Sequence, residues 1–429
     1  MRRMMMPMAV LMGEGWSTVP APDAAFSWLP FTIEQRGRVF RPKNWTIESN
    51  QPADTKPYYV SMTGDDAAAG TIGAPLRRMK TAAAKADATS VRCLDGGPYD
   101  QDTGLCGYII TKTISIIGAP GGTIVTGFYT GISFAIDNGT YPHTYHGSQA
   151  NASSFAFDAK TIDANGDYSG LTAQASVAAV EAAAGSIYIS GSDIYVRLAD
   201  DRAPDADLKI SHSGNDNFRF VPTSGTKTCY AENLWCYGGK DPIISRAATG
   251  VTANLYLKGC KSKYSTYNDG AFIAGGVLFV AQNCEIARGL HDGFNYNTYQ
   301  TQAAHGVEIN CIGRHNGTTG NADNGSTAHD AAIAVCLNGQ YYGNVGRNVA
   351  DITNARRWML GCSVHDSAAT DVAYDHNYNV GETAIMWLDS CSSYGSTYGL
   401  FVTATGTPGI AYIRNFVASD PTSGTPVAY

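Results

Sequence analysis

The 429-residue chain carries 30 Lys and Arg against 37 Asp and Glu, a formal charge of −7, and only 16% of its residues are charged. This balance excludes a sequence-independent grip on nucleic-acid phosphates and argues against a long solvated helical protein. With 47 glycines and more tyrosine (25) than phenylalanine (14), the composition suits a turn-rich β protein with a polar surface.

At the start, Met1-Arg2-Arg3 precedes an apolar stretch ending at Gly13. Pro7 interrupts it and no small-x-small cleavage pattern comes after it, so it reads as a start region or packing tail rather than a secretion signal. No apolar run approaches the roughly 18 residues of a membrane span, and a soluble protein is expected. Residues 1–57 show no repeat; Trp16, Trp28 and Trp45 predict an extension that packs onto the first coils of the downstream repeat or onto a neighbouring subunit. A run of good helix formers predicts a short helix over 77–88. Short strands come next at 90–94, 108–111, 113–118 and 122–127, and 185–198 predicts a hairpin turning at Gly191-Ser192-Asp193.

The ten cysteines contain no C-x-x-C pair of a zinc or redox site. From Cys236 through Cys260, Cys284, Cys311 and Cys362 to Cys391 the gaps are 24, 24, 27, 51 and 29 residues. Each of these cysteines ends a short alternating strand, a polar turn follows, and a second apolar run comes next: 271–274, 293–296, 331–335, 372–374 and 399–402. Two short strands per repeat with no helical period between them exclude a βαβ unit and fit the stacked coils of a parallel β-helix. The 51-residue gap then holds two coils, or one coil with an excursion at 338–351. Small buried cysteines stacking between coils are expected to be reduced and structural, with disulfides as the alternative.

The opening run Tyr58-Tyr-Val-Ser-Met-Thr-Gly-Asp-Asp66, the helix, and Ile114-Ser-Ile-Ile-Gly-Ala-Pro-Gly-Gly-Thr-Ile-Val-Thr-Gly127 together resemble the start of pectate-lyase-like right-handed parallel β-helix proteins. The resemblance implies an all-β solenoid over 58–416, with a capping helix at its N-terminal end, a hairpin insertion near 160–212 and a tail at 417–429. In character the chain is similar to the tail-spike-like polysaccharide depolymerases of bacteriophages. That implies a bacterial exopolysaccharide or capsule as substrate, a homotrimer, and an extracellular or virion-associated place after folding in a cytoplasm.

Chemistry is expected in the turns before the second strands, at Asp269, His291-Asp292, His329-Asp330 and Asp371. Coils about 4.8 Å apart would line these carboxylates up in a column, which brackets both glycosidase spacings and keeps one member protonated. The expected catalytic set is Asp292, Asp330 and Asp269, tuned by His291 and His329. Resemblance to the polygalacturonase-like branch extends to Asp269, Asp292 and His329-Asp330, but the double Asp and the Arg-x-Lys of that branch are missing. The competing reading is ordinary turn chemistry, in which Asp bonds its own backbone. A second group, Tyr264, Tyr267, Arg288, Tyr296, Arg314 and His315, is expected to bind substrate. In a β-elimination version Tyr264, Arg288, Arg314 or His315 would supply base and cation. Asp323, in the polar loop 316–328, offers a calcium alternative, although no cofactor is required. The expectation is a polysaccharide-cleaving enzyme with a lean to hydrolysis. A lyase or uronate epimerase is the first alternative, and a non-catalytic adhesin or receptor-binding spike the second.

Overall fold

The computed structural model describes residues 15–318, 323–403 and 408–429. The start region at 1–13 and the centre of the 316–328 loop lie outside the described residues.

One coil is Thr252–Lys258, Lys261–Lys263 and Ala271–Gly275; the next is Val277–Gln282, Glu285–Ala287 and Phe294–Tyr299. They stack in parallel register, with Leu255 beside Phe279, Ser262 beside Ile286 and Ile273 beside Tyr296. Repetition of this step builds three sheets, of twelve, nine and eleven strands among the described residues. Period-two alternation sends Leu255, Phe279 and Ile273 into a lumen where each is fully buried, worth about 2 kcal/mol per side chain.

The corner after five of the twelve-sheet strands belongs to a cysteine: Cys260, Cys284, Cys311, Cys362 and Cys391. Cys284, Cys311, Cys362 and Cys391 donate their thiols to carbonyls of Leu257, Ala281, Cys336 and Met359, all at 3.4 Å. All ten cysteines are free and buried. Cys236 does not belong to this column: it pairs with Ser262, inside a nine-sheet strand. The 51-residue gap is two coils, because Gln340 N–H bonds to the Cys311 carbonyl and Ser363 N–H to that of Gly339, which occupies the corner without a thiol. Residues 338–351 are therefore no excursion; they include the regular strands Gln340–Tyr342 and Val349–Asp351.

The helix is shorter than its run of helix formers, Met79–Ala84, and Met79, Ala82 and Ala83 close the lumen at its N-terminal end. The N-terminal extension forms a three-stranded antiparallel sheet and a short 3-10 turn; Phe26 of the turn and Ile33 and Phe40 of the sheet are buried on the outer face of the twelve-stranded sheet. It reaches far beyond the first coils. Phe26 lies 5.6 Å from Trp358 and 5.4 Å from Trp387, Arg38 donates to the Ser390 and Cys391 carbonyls, and Glu48 pairs with Lys258. At the other end, 417–429 is no tail. Its short strands Val417–Ala418, Thr422–Ser423 and Val427–Ala428 each extend one of the three sheets. The insertion begins well before residue 160, at Ala135–Asn138, and runs through Leu208–His212 as two small, largely antiparallel sheets that include the expected hairpin of Ser186–Ser190 and Asp193–Arg197.

Candidate active site

Register decides which side chains meet. In the eleven-stranded sheet Phe218, Ile243, Ala271, Phe294, Ser326, Val349 and Tyr378 stand beside one another from coil to coil. Two residues earlier in each coil, the chain therefore places Asp216, Asp241, Asp269, Asp292, Asn324, Arg347 and His376 in one row. The turn backbone here is buried, and its N–H groups need acceptors. The row supplies them: Oδ1 of Asp241 accepts from Asp269 N–H (3.1 Å), Oδ1 of Asp269 from Asp292 N–H (3.2 Å), Oδ1 of Asp292 from Asn324 N–H (2.6 Å), and Oδ1 of Asn324 from Arg347 N–H (3.0 Å).

That ladder uses one oxygen of each carboxyl and leaves the other for a cleft. The Asn295 amide donates to Oδ2 of Asp269 at 2.9 Å and to Oδ2 of Asp292 at 3.2 Å, so the two carboxyls lie within two hydrogen-bond lengths of each other. His329 Nε2 stands 3.8 Å from the same Asp292 oxygen, and His291 Nδ1 is 2.9 Å from Oδ1 of Asp323. These groups, with Arg347, wall a cleft of about 460 Å³ whose floor is Asn295, Thr327 and Ala350, the outward face of the eleven-stranded sheet. A cleft of about 550 Å³ under the insertion is lined mostly by apolar side chains and contains no member of the row.

The electrostatics separate the two carboxyls. Burial, with the neighbouring Asp292 and Asp241 carboxyls, pushes Asp269 well above the usual carboxylate range. Asp292 collects donors instead: the Asn324 backbone and side-chain N–H groups donate to its Oδ1 and the Asn295 amide to its Oδ2. The hydrogen bond to Asp323 raises the His291 pKa above the ordinary imidazole value, toward a cation at neutral pH. Arg347 has no ion-pair partner among the described residues; its guanidinium carbon lies 4.9 Å from the Tyr374 ring centre, and burial lowers its pKa.

The expected site residues thus divide. Asp269, His291, Asp292 and His329 meet in the cleft. Asp330 does not: 331–335 is not an eleven-sheet strand, because Ile333–Leu337 belongs to the twelve-stranded sheet and Ser326–Ala328 takes the expected place. Asp330 is therefore exposed at another corner, with its N–H on Thr353, and Asn324 stands where the next aspartate was expected. Asp371 also misses the row, because its coil's strand is His376–Val380. Tyr264 is buried beneath the insertion, its ring stacked on Tyr168 at 5.1 Å and its hydroxyl accepting from Tyr168 N–H. Tyr296 points into the lumen and donates to Glu308 (3.1 Å). Arg288 and Arg314 pair with Asp167 of the insertion, and His315 lies beside them with its Nδ1 4.0 Å from Asp167. Tyr267 is exposed, with the Lys240 ammonium 4.6 Å from its ring centre. Asp323 bonds to His291 and to Thr318 N–H, and among the described residues no cluster of His, Cys, Asp and Glu is arranged to hold a metal ion. Reading by composition missed Asp241, Asn295, Asn324 and Arg347. Counting back two residues from each eleven-sheet strand would have found all but Asn295.

No protein-family model and no curated protein matches the sequence. Among solved structures the chain is similar to XylC in complex with xylose, at 10% identity and a TM-score of 0.50, over 85% of this chain and 68% of that one. It is similar also to a glycoside hydrolase (9% identity, TM-score 0.51, 85% and 97% covered) and to pectate lyase Pel9A (12%, 0.49, 89% and 80%). Likeness at such identity speaks for fold: the chain is a right-handed parallel β-helix.

Proposed function

We propose that the chain is a glycosidase that cleaves a polysaccharide, with Asp269 as general acid and Asp292 as its carboxylate partner. The observation that carries this reading is the pair itself: two carboxyls bridged by one amide at the wall of a cleft, with burial and neighbouring carboxyls raising the pKa of Asp269. Asp269 donates its proton to the glycosidic oxygen as that bond breaks, and Asp292 attacks or stabilises the anomeric carbon. His329 stands beside the Asp292 oxygen at 3.8 Å, and His291, whose pKa Asp323 raises, sets the field at the cleft mouth. A separation within two hydrogen-bond lengths falls nearer the roughly 5 Å of double displacement than the 6.5–9.5 Å of single displacement, so the anomeric configuration is expected to be retained. The walls span four coils, about 14 Å, which suits a chain of sugars better than a single ring. The solved glycoside hydrolases supply the scaffold analogy, and an exopolysaccharide remains the substrate class we favour.

Arg347 favours a second reading. A desolvated cation without a carboxylate partner would neutralise a uronate, the requirement of β-elimination, with a histidine as base. Incubation with bacterial exopolysaccharides separates the two. New reducing ends without ultraviolet absorbance by unsaturated uronate support hydrolysis, both signals together support the lyase, and binding without either leaves a glycan-binding spike. Asp292→Asn is expected to lower kcat at least about 10³-fold with an unchanged circular-dichroism spectrum; undiminished turnover removes the pair from the chemistry.

A further inference from the structure

The aspartate row does not stop at the cleft. Asp241 and Asp216 continue it through the two preceding coils, and neither lines the cavity. Asp241 is buried one coil away from the cleft, which it does not line, yet its Oδ1 accepts the Asp269 N–H at 3.1 Å. We propose that Asp241 is a positioning residue, which fixes the backbone of Asp269 and, through its own carboxylate, keeps the proton on that acid. The inference rests on the reading of Asp269 as general acid.

The groups facing Asp241 are few. Asp216 lies on the preceding coil, Asp269 on the following one, Lys240 on its own turn, and His291 farther along the cleft wall. Lys240 projects over the Tyr267 ring, and Arg219 is 3.5 Å from Asp216. No salt bridge reaches Asp241 or Asp269 among the described residues, so a proton lost from either one adds a charge without an ion-pair partner beside the next carboxyl. Burial and Asp216 raise Asp241 to about 7, and burial raises Asp216 as well. The row therefore titrates as a set, and ionisation of Asp241 opposes ionisation of Asp269. A purely structural turn would gain nothing from the charge, since an asparagine accepts the same N–H.

Asp241→Asn makes that distinction, because it keeps the Oδ1 acceptor and the volume and removes only the charge. In the resting protein, the carboxyl infrared signal assigned to Asp269 by subtraction of Asp269→Asn is expected to titrate about one pH unit or more lower in Asp241→Asn. In turnover, the upper limb of the kcat/KM profile is expected to move down by the same amount, with kcat at the optimum kept within a few-fold. Asp216→Asn, one coil farther away, is the second variant and is expected to shift both readouts in the same direction by less. An Asp269 signal that titrates identically in wild type and both variants overturns the proposal whether or not the protein cleaves glycans. A shifted signal with no turnover by any of the proteins supports the coupling and removes the hydrolase reading.

Discussion

Asp167 and Asp269 are both carboxyls shut away from solvent, and they have opposite surroundings. Asp167, in the turn of the insertion, meets Lys263 at 2.6 Å and also pairs with Arg288 and Arg314. Despite its burial, the nearby His315 and hydrogen bonds from Arg314 and Lys263 hold its pKa far below the usual carboxylate range. Asp269 has no cation, only an amide and other carboxyls, and burial with those carboxyls pushes its pKa up. A carboxyl saturated with cations is a clamp; one left to share protons with its neighbours is available for chemistry. This difference moves Arg288, Arg314 and Tyr264 from a supposed substrate site to the seat of the insertion. The largest effect should come from breaking the clamp. Asp167→Asn leaves Lys263 and Arg314, each with a side chain 3% exposed, short of their main counter-charge. It is expected to cost about 3 kcal/mol or more, read as a lower denaturant midpoint and early proteolysis between 135 and 212. An unchanged midpoint would mean that the insertion is held by its apolar contacts alone.

The solenoid was legible in the sequence because its repeat is a packing necessity. A corner with room for one small side chain selects cysteine coil after coil, and the spacing of those cysteines measures the coil. The site was legible only in part, for a physical reason. Turn strings such as His-Asp-Gly draw the eye to aspartate, whereas the fold reads position. Asn324 takes over the backbone bond that Asp292 makes in the coil before, and the strand ends at Ala328, which leaves His329-Asp330 beyond it. His329 still returns to the cleft, since it sits on the outward face at the strand's end; Asp330, one residue on, does not. The clamp was illegible because its partners, Asp167 and Arg314, are separated by 147 residues and meet only through the insertion.

A second test sharpens the distinction from the cleft side. The His329 ring lies 3.8 Å from the partner carboxylate, so His329→Gln is expected to reduce kcat by about 10- to 100-fold with little change in KM and no change in thermal midpoint. If instead the midpoint falls as it does for Asp167→Asn, His329 belongs with the clamp residues.

The smallest effect concerns the far end of the row, where His376 offers a third solution to an uncompensated buried group. Its ring is stacked on Phe401 at 4.1 Å, makes no well-formed hydrogen bond among the described residues, and faces Arg347. Burial and that cation lower its pKa to about 4, although the Asn379 amide works in the opposite sense, so burial disfavours the charged form of this ring as it disfavours that of Asp269. Linkage fixes the signs. A lowered histidine contributes stability that is complete above its unfolded value near 6.5 and is lost as pH falls toward 4. The raised Asp241 contributes stability below its unfolded value that is lost as pH rises through about 7. The two ends of one row should therefore weaken the fold at opposite extremes. His376→Phe is expected to lessen the fall in thermal midpoint between pH 7 and pH 5 by about two degrees, and Asp241→Asn to lessen the fall between pH 6 and pH 8. Midpoints that move together in both ranges would mean that the row responds to net charge and not to these two groups.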